Sequence, residues 1–92
     1  MAKKKTTYNN AFGMDPAEAR RLVATLTPRE RQVFEIIVRG KTNKQVGYAL
    51  GATERTIKAH RHRVMEKMQV RSLAELVSSA ERIGLLGDPA EK

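Results

Sequence analysis

Ninety-two residues, 40% of them hydrophobic but only 4% aromatic, suffice for one small domain, and its Leu, Ile, Val and Met fit a helical bundle better than a β-sandwich. With no cysteine, disulfides, thiolate chemistry and cysteine-ligated metal centres are excluded, and the longest apolar run, Ile36-Ile37-Val38, is far short of the roughly 18 residues that span a bilayer. The formal net charge of +8 is uneven: residues 26–70 carry ten basic and four acidic side chains and residues 71–92 three and four, so the expected partner is a polyanion, nucleic acid before membrane.

Residues 1–14 are polar and basic, with Lys3-Lys4-Lys5 near the start, and read as a flexible arm that either solubilises the chain or follows a nucleic-acid backbone or enters its minor groove. No apolar core follows this basic start, as a signal peptide requires, so a cytoplasmic setting is expected. Asp15-Pro16-Ala17-Glu18 is a helix start, with Asp as N-cap and Pro in the first turn, and it predicts a short leading helix within 15–25 with Leu22, Val23 and Leu26 on its apolar side. Thr27-Pro28-Arg29-Glu30 repeats that logic as a capping box. Val33, Phe34, Ile37 and Val38 recur at helical spacing and Gly40 offers a stop, which predicts a helix over 28–39.

Asn43 is the expected cap of a shorter helix whose inward positions are Val46, Ala49 and Leu50, closed by Gly51. Thr53 caps the next helix, expected over 54–68, with Glu54 in its first turn where the helix dipole favours a negative charge. The link Gly51-Ala52-Thr53 is too short for an antiparallel pair, so these two helices must cross steeply as a helix-turn-helix. Ser72-Leu73-Ala74-Glu75 is a further capping box, opening a last helix with Leu73, Leu76, Val77, Ala80 and Ile83 on one side and Gly84 as its stop; residues 87–92 read as a frayed tail.

On a helical wheel with Ile57 at zero, Val64 and Met68 fall within about 20° and define a buried stripe on the helix over 54–68. Arg55, Lys58, Ala59, His62 and Glu66 occupy the opposite side, while His60 and Arg61 flank the stripe. A small Ala59 among cationic and hydrogen-bonding neighbours suits close approach to base edges.

Three segments carry a resemblance: Leu26-Thr27-Pro28-Arg29-Glu30-Arg31-Gln32-Val33, Gly40-Lys41-Thr42-Asn43-Lys44-Gln45-Val46, and Thr56-Ile57-Lys58-Ala59-His60 with Met65-Glu66-Lys67-Met68. In order and spacing they resemble the LuxR/FixJ-type helix-turn-helix domain of bacterial transcription regulators over about residues 26–86. The resemblance implies an all-α, four-helix domain preceded here by the extra helix and the basic arm, binding double-stranded DNA without a cofactor. It implies that the helix over 54–68 enters the major groove, with Lys58, Ala59 and His62 facing base edges and Arg55 beside them. Lys44, Thr56, Arg29, Asn43 and Arg61 are expected at phosphates, with Asn43 capping the supporting helix. Tyr48 has two open readings, the rim of the core or a phosphate contact. Arg29 and Glu30 resemble the charged pair that braces the first helix against the motif, and the last helix, through Leu73, Leu76, Val77 and Ala80, resembles the element by which such domains pair as homodimers on inverted repeats. Gly47 stands where the family usually has Ala, which implies a looser supporting helix, and His62 where a longer basic residue is common.

Other readings are weaker. His60 and His62 are two apart and point away from each other, so no metal is expected, and no acid, base and nucleophile share a recognisable spacing, so no catalysis is expected. All 92 residues are accounted for without a sensing domain, which leaves a stand-alone regulator, the favoured reading, or a fragment of a longer one; control of the former would come from expression level or a protein partner, RNA polymerase or a regulatory protein being the expected kinds. The rival reading is a polymerase- or regulator-binding adaptor resembling the last region of a sigma factor; the short link over 40–43 argues against it.

Overall fold

The computed structural model describes residues 14–86, which form five helices: α1 (Pro16–Val23), α2 (Pro28–Ile37), α3 (Asn43–Leu50), α4 (Glu54–Met68) and α5 (Leu73–Arg82). The basic arm and the tail, residues 1–13 and 87–92, lie outside the described residues. Met14, expected at the end of the arm, is instead buried against the core. An apolar side chain next to α1 gains more from that contact than from water.

Every helix opens on a side-chain cap. Asp15 accepts from the Ala17 amide, Thr27 and Glu30 form the expected reciprocal capping box, and Thr53 accepts from the Thr56 amide. The cap of α3 is Thr42, not Asn43: its hydroxyl accepts from the Gln45 amide at 3.1 Å while the Gln45 side chain accepts from the Thr42 amide at 2.9 Å. Thr42-Asn43-Lys44-Gln45 is itself a capping-box pattern, and it displaces Asn43 to the first helical position. The box expected at Ser72 is only half made. Ser72 accepts from the Glu75 amide, but the Glu75 carboxylate reaches the Arg71 amide at 2.8 Å, one residue further back. Helix α2 ends at Ile37, short of the expected 39, because the Arg39 and Gly40 amides turn back onto the Ile36 and Ile37 carbonyls and Gly40 takes φ +90°.

Helix α4 is the spine of the core. It packs against α1, α2 and α3, burying Ile57, Val64 and Met68 against Val33, Phe34 and Ile37 of α2 and Val46 of α3. Ala49 is exposed, contrary to its expected inward place. On α3 the arc turned inward runs from Val46 through Leu50 to Gly47, and Ala49 lies about 60° beyond its edge. Helix α1 contributes Ala19, Leu22 and Val23 to the same core and packs on both α4 and α5. Helix α5 turns Leu76, Ser79 and Ala80 inward, and the buried Ser79 hydroxyl is satisfied by donating to the Leu76 carbonyl at 2.7 Å.

Gly47 lets the turn close. A Cβ at this buried position would stand 2.5 Å from the Ala52 carbonyl oxygen, closer than real Cβ contacts come, while the Ala52 amide donates to the Gly47 carbonyl at 2.9 Å. Gly47→Ala is therefore expected to lower stability by about 1–2 kcal/mol, the strain of moving the turn outweighing a helix-propensity gain of about 1 kcal/mol. Urea denaturation checks this, and a midpoint at or above that of the wild type would mean that the turn yields without strain.

Candidate nucleic-acid interface

The two helices of the motif are joined by Gly51, in the left-handed conformation at φ +68°, and the Ala52-Thr53 step, so α4 leaves the turn across α3 with one long side uncovered. Arg55, Lys58, Ala59, His62 and Glu66 are all exposed on that side, and His60 and Arg61 are half-buried at its margins. The sequence-derived wheel and the tertiary packing agree here because a single apolar stripe leaves a helix only one way to face its neighbours. His62 Nε2 lies 3.4 Å from the Glu66 carboxylate, one turn on, so the ridge is cationic in its first half and carries an acid near its C-terminal end. The Thr53 hydroxyl bonds that of Thr56 at 2.9 Å, which holds Thr56 at the exposed N-terminal turn of α4.

The flank of α4 next to α3 is built by a link that no local pattern announces. Arg61 Nη1 donates to Asn43 Oδ1 at 3.2 Å, pinning the start of α3 to the middle of α4 and setting Lys44 exposed beside them. Asn43 is thus a positioning residue between the two helices rather than a cap. Tyr48 is 92% exposed, which removes the reading that placed it in the rim of the core. The Arg29 guanidinium donates to the Leu50 carbonyl at the end of α3, at 3.4 Å.

Glu30 is 3% exposed, and its partner is Lys67 of α4 at 2.7 Å, so Glu30 and Arg29 each tie α2 to a helix of the motif. The same Glu30 oxygen accepts from the Thr27 amide at 2.9 Å, and the Lys67 ammonium also reaches the Thr25 carbonyl. The Lys67 hydrogen bond, helped by those from Thr27, lowers the Glu30 pKa against the opposing effect of burial. The pair fastens the last turn of α4 to the first turn of α2.

Leu76 and Ala80, expected on a pairing face of the last helix, have no exposed surface. They are occupied within the chain, since α5 packs against α1, and only the half-buried Leu73 and Val77 of that set retain outward surface. Among the described residues no three His, Cys, Asp or Glu side chains converge as a metal site would require, and no helix is long and apolar enough to cross a membrane. One exposed cation beside the ridge is absent from the sequence-derived set: Arg63, at about 240° on the wheel and next to Ala59 at about 200°. Extending the exposed arc past Ala59 would have found it.

Residues 24–80 match the family model of the bacterial regulatory proteins of the luxR family, GerE. The chain belongs to the LuxR family. Its relatives include Nodulation protein W of Bradyrhizobium diazoefficiens, 41% identical over 76 residues (83% of this chain and 34% of the relative), and the transcriptional regulatory protein FixJ of the same organism, 48% identical over 66 residues (72% and 32%). The solved C-terminal transcriptional activator domain of FixJ from Sinorhizobium meliloti is 40% identical, with a TM-score of 0.70 over 82% of this chain and 94% of that domain. The chain spans about a third of the length of these curated relatives, whereas it aligns with nearly all of the FixJ activator domain. It therefore carries a LuxR-type helix-turn-helix DNA-binding domain, of a family that is typically non-enzymatic. Helix α1 lies outside the matched residues 24–80, yet its side chains are part of the domain's core.

Proposed function

We propose that this chain is a sequence-selective, cytoplasmic regulator of bacterial transcription that lays α4 in the major groove of double-stranded DNA. One observation carries the reading: the side of α4 left bare by the core holds Arg55, Lys58, Ala59 and His62 together, with no apolar residue larger than Ala among them. Lys58, Ala59 and His62 read base edges with Arg55 beside them, while Lys44, Arg61, Tyr48 and Thr56 hold phosphates. Arg29 and Asn43 serve the interface indirectly, through the Leu50 carbonyl and Arg61.

Lys58→Ala is the deciding variant. Loss of a base-reading side chain costs about 1–3 kcal/mol on the preferred site and less on a random duplex, so the preference between the two shrinks by about tenfold or more. Fluorescence anisotropy with a duplex obtained by in vitro selection measures this. Unchanged preference would remove Lys58 from base readout.

Few phosphate contacts per chain give weak binding at physiological salt, since each contributes a slope of about 0.9 in log K against log salt. Two chains on half-sites roughly 34 Å apart offset that weakness. With Leu76 and Ala80 buried, the pairing surface is confined to the outward side of α5 around Leu73 and Val77.

A further inference from the structure

An open groove runs along the flank of α4 that faces away from α3, lined by Thr27 and Glu30 of the α2 start and by Arg55, Thr56, Ala59, His60 and Arg63 of α4. We infer that this groove is the seat of the second phosphate strand, and that Arg63 is the side chain that holds it. The inference rests on the proposed docking of α4 in the major groove.

The geometry follows from dimensions. A helix with its side chains is about 10–12 Å across and the major groove about 12 Å wide, so a helix inserted there has one phosphate strand on each flank. The flank beside α3 carries Lys44 and the Arg61 guanidinium bonded to Asn43. The opposite flank needs its own cations, and Arg55 and Arg63, two turns and about 12 Å apart along α4, are both exposed there. Among the described residues neither has an ion-pair partner. The one carboxylate in the groove, Glu30, is already matched by Lys67 at 2.7 Å, so the groove presents a net positive rim over a neutral floor. Thr56 adds a hydroxyl at the end nearer the turn. Arg55 and Ala59 belong both to the groove and to the base-facing ridge, so the groove is continuous with that ridge. This continuity favours a nucleic-acid strand over an acidic peptide, which would need no ridge beside it.

The test compares wild type, Arg63→Ala and Lys44→Ala on a selected duplex and a random duplex across a range of potassium chloride. Arg63 is exposed, and a thermal melt verifies that its variant folds. Arg63→Ala is expected to weaken both duplexes by the same factor, about three- to tenfold, and to lower the salt slope by about 0.9. Replacing phosphates of one strand with neutral methylphosphonates should weaken wild type but leave Arg63→Ala indifferent at a phosphate of that strand. If Lys44→Ala weakens binding while Arg63→Ala alters neither affinity nor slope, the groove does not face DNA and the assignment is overturned. If Arg63→Ala changes preference between the duplexes, Arg63 reads bases and the assignment is likewise overturned. If wild type binds neither duplex, the proposed function itself fails, a result distinct from both.

Discussion

Leu22→Ala is expected to destabilise the domain by about 3 kcal/mol and to lower its melting temperature by roughly 15 °C. Leu22 is 3% exposed and lies, with Ala19 and Val23, on the side of α1 that covers α4 and α5. Truncating it removes three buried carbon atoms and leaves a cavity that helices held from two sides cannot easily close. A small domain has only about 5–15 kcal/mol of stability, so the loss would be a large share of it. Because Leu22 lies outside the residues that match the family model, the experiment also decides whether the folding unit is larger than that match. A thermal or urea melt of Leu22→Ala beside Arg20→Ala, an exposed control on the same helix, gives the answer. Equal midpoints for the two would make α1 an appendage.

The second large effect belongs to Glu30. Its carboxylate joins two helices, accepting from Lys67 on α4 and from the Thr27 amide at the start of α2. Glu30→Ala removes half of the capping box and leaves the Lys67 ammonium unmatched. A cap is worth about 1 kcal/mol, and the ion pair adds about another 1 kcal/mol once discounted for the solvent that reaches Lys67. The expected cost is thus about 2 kcal/mol. Acid should reproduce part of it. The Glu30 pKa is lowered in the folded chain from the usual 4.5, chiefly by the Lys67 hydrogen bond, so the unfolded chain takes up the proton first as pH falls. The contribution of this carboxylate is complete above the ordinary glutamate range and disappears as pH drops from there through the lowered value. Urea midpoints of wild type and Glu30→Gln measured from pH 7 to pH 3 should converge as pH falls, and curves that stay parallel would show that the pair carries no stability.

These two positions bear on function through α4. The bare ridge is useful only if the helix beneath it is held in one orientation, and three distant links hold it: Arg61 to Asn43, Lys67 to Glu30, and the buried Ile57, Val64 and Met68. In the proposed docking a slack α4 would present Lys58 and His62 at variable depth, and base readout depends on side chains placed within hydrogen-bond distance.

What the chain spells out locally is the set of helices and the buried stripe of α4. Thr27 with Glu30, Thr53 with Thr56, and the spacing of Ile57, Val64 and Met68 act within one or two helical turns, so neighbouring residues suffice to read them. The family resemblance, carried by those same stretches, was legible for the same reason, and even Thr42 as a cap was written in its Thr-x-x-Gln pattern. Tertiary structure alone decided the rest. That Glu30 meets Lys67, 37 positions away, depends on which helix crosses which. Periodicity marks Leu76 and Ala80 as apolar but does not say what covers them; with α5 packed on α1, these two of the four residues expected to join two chains lie in the interior of one. Gly47 likewise reads as a weak helical residue until the Ala52 carbonyl stands where its Cβ would be. A helix knows its own faces from its own residues, whereas the partner of each face is set by the packing of the whole chain.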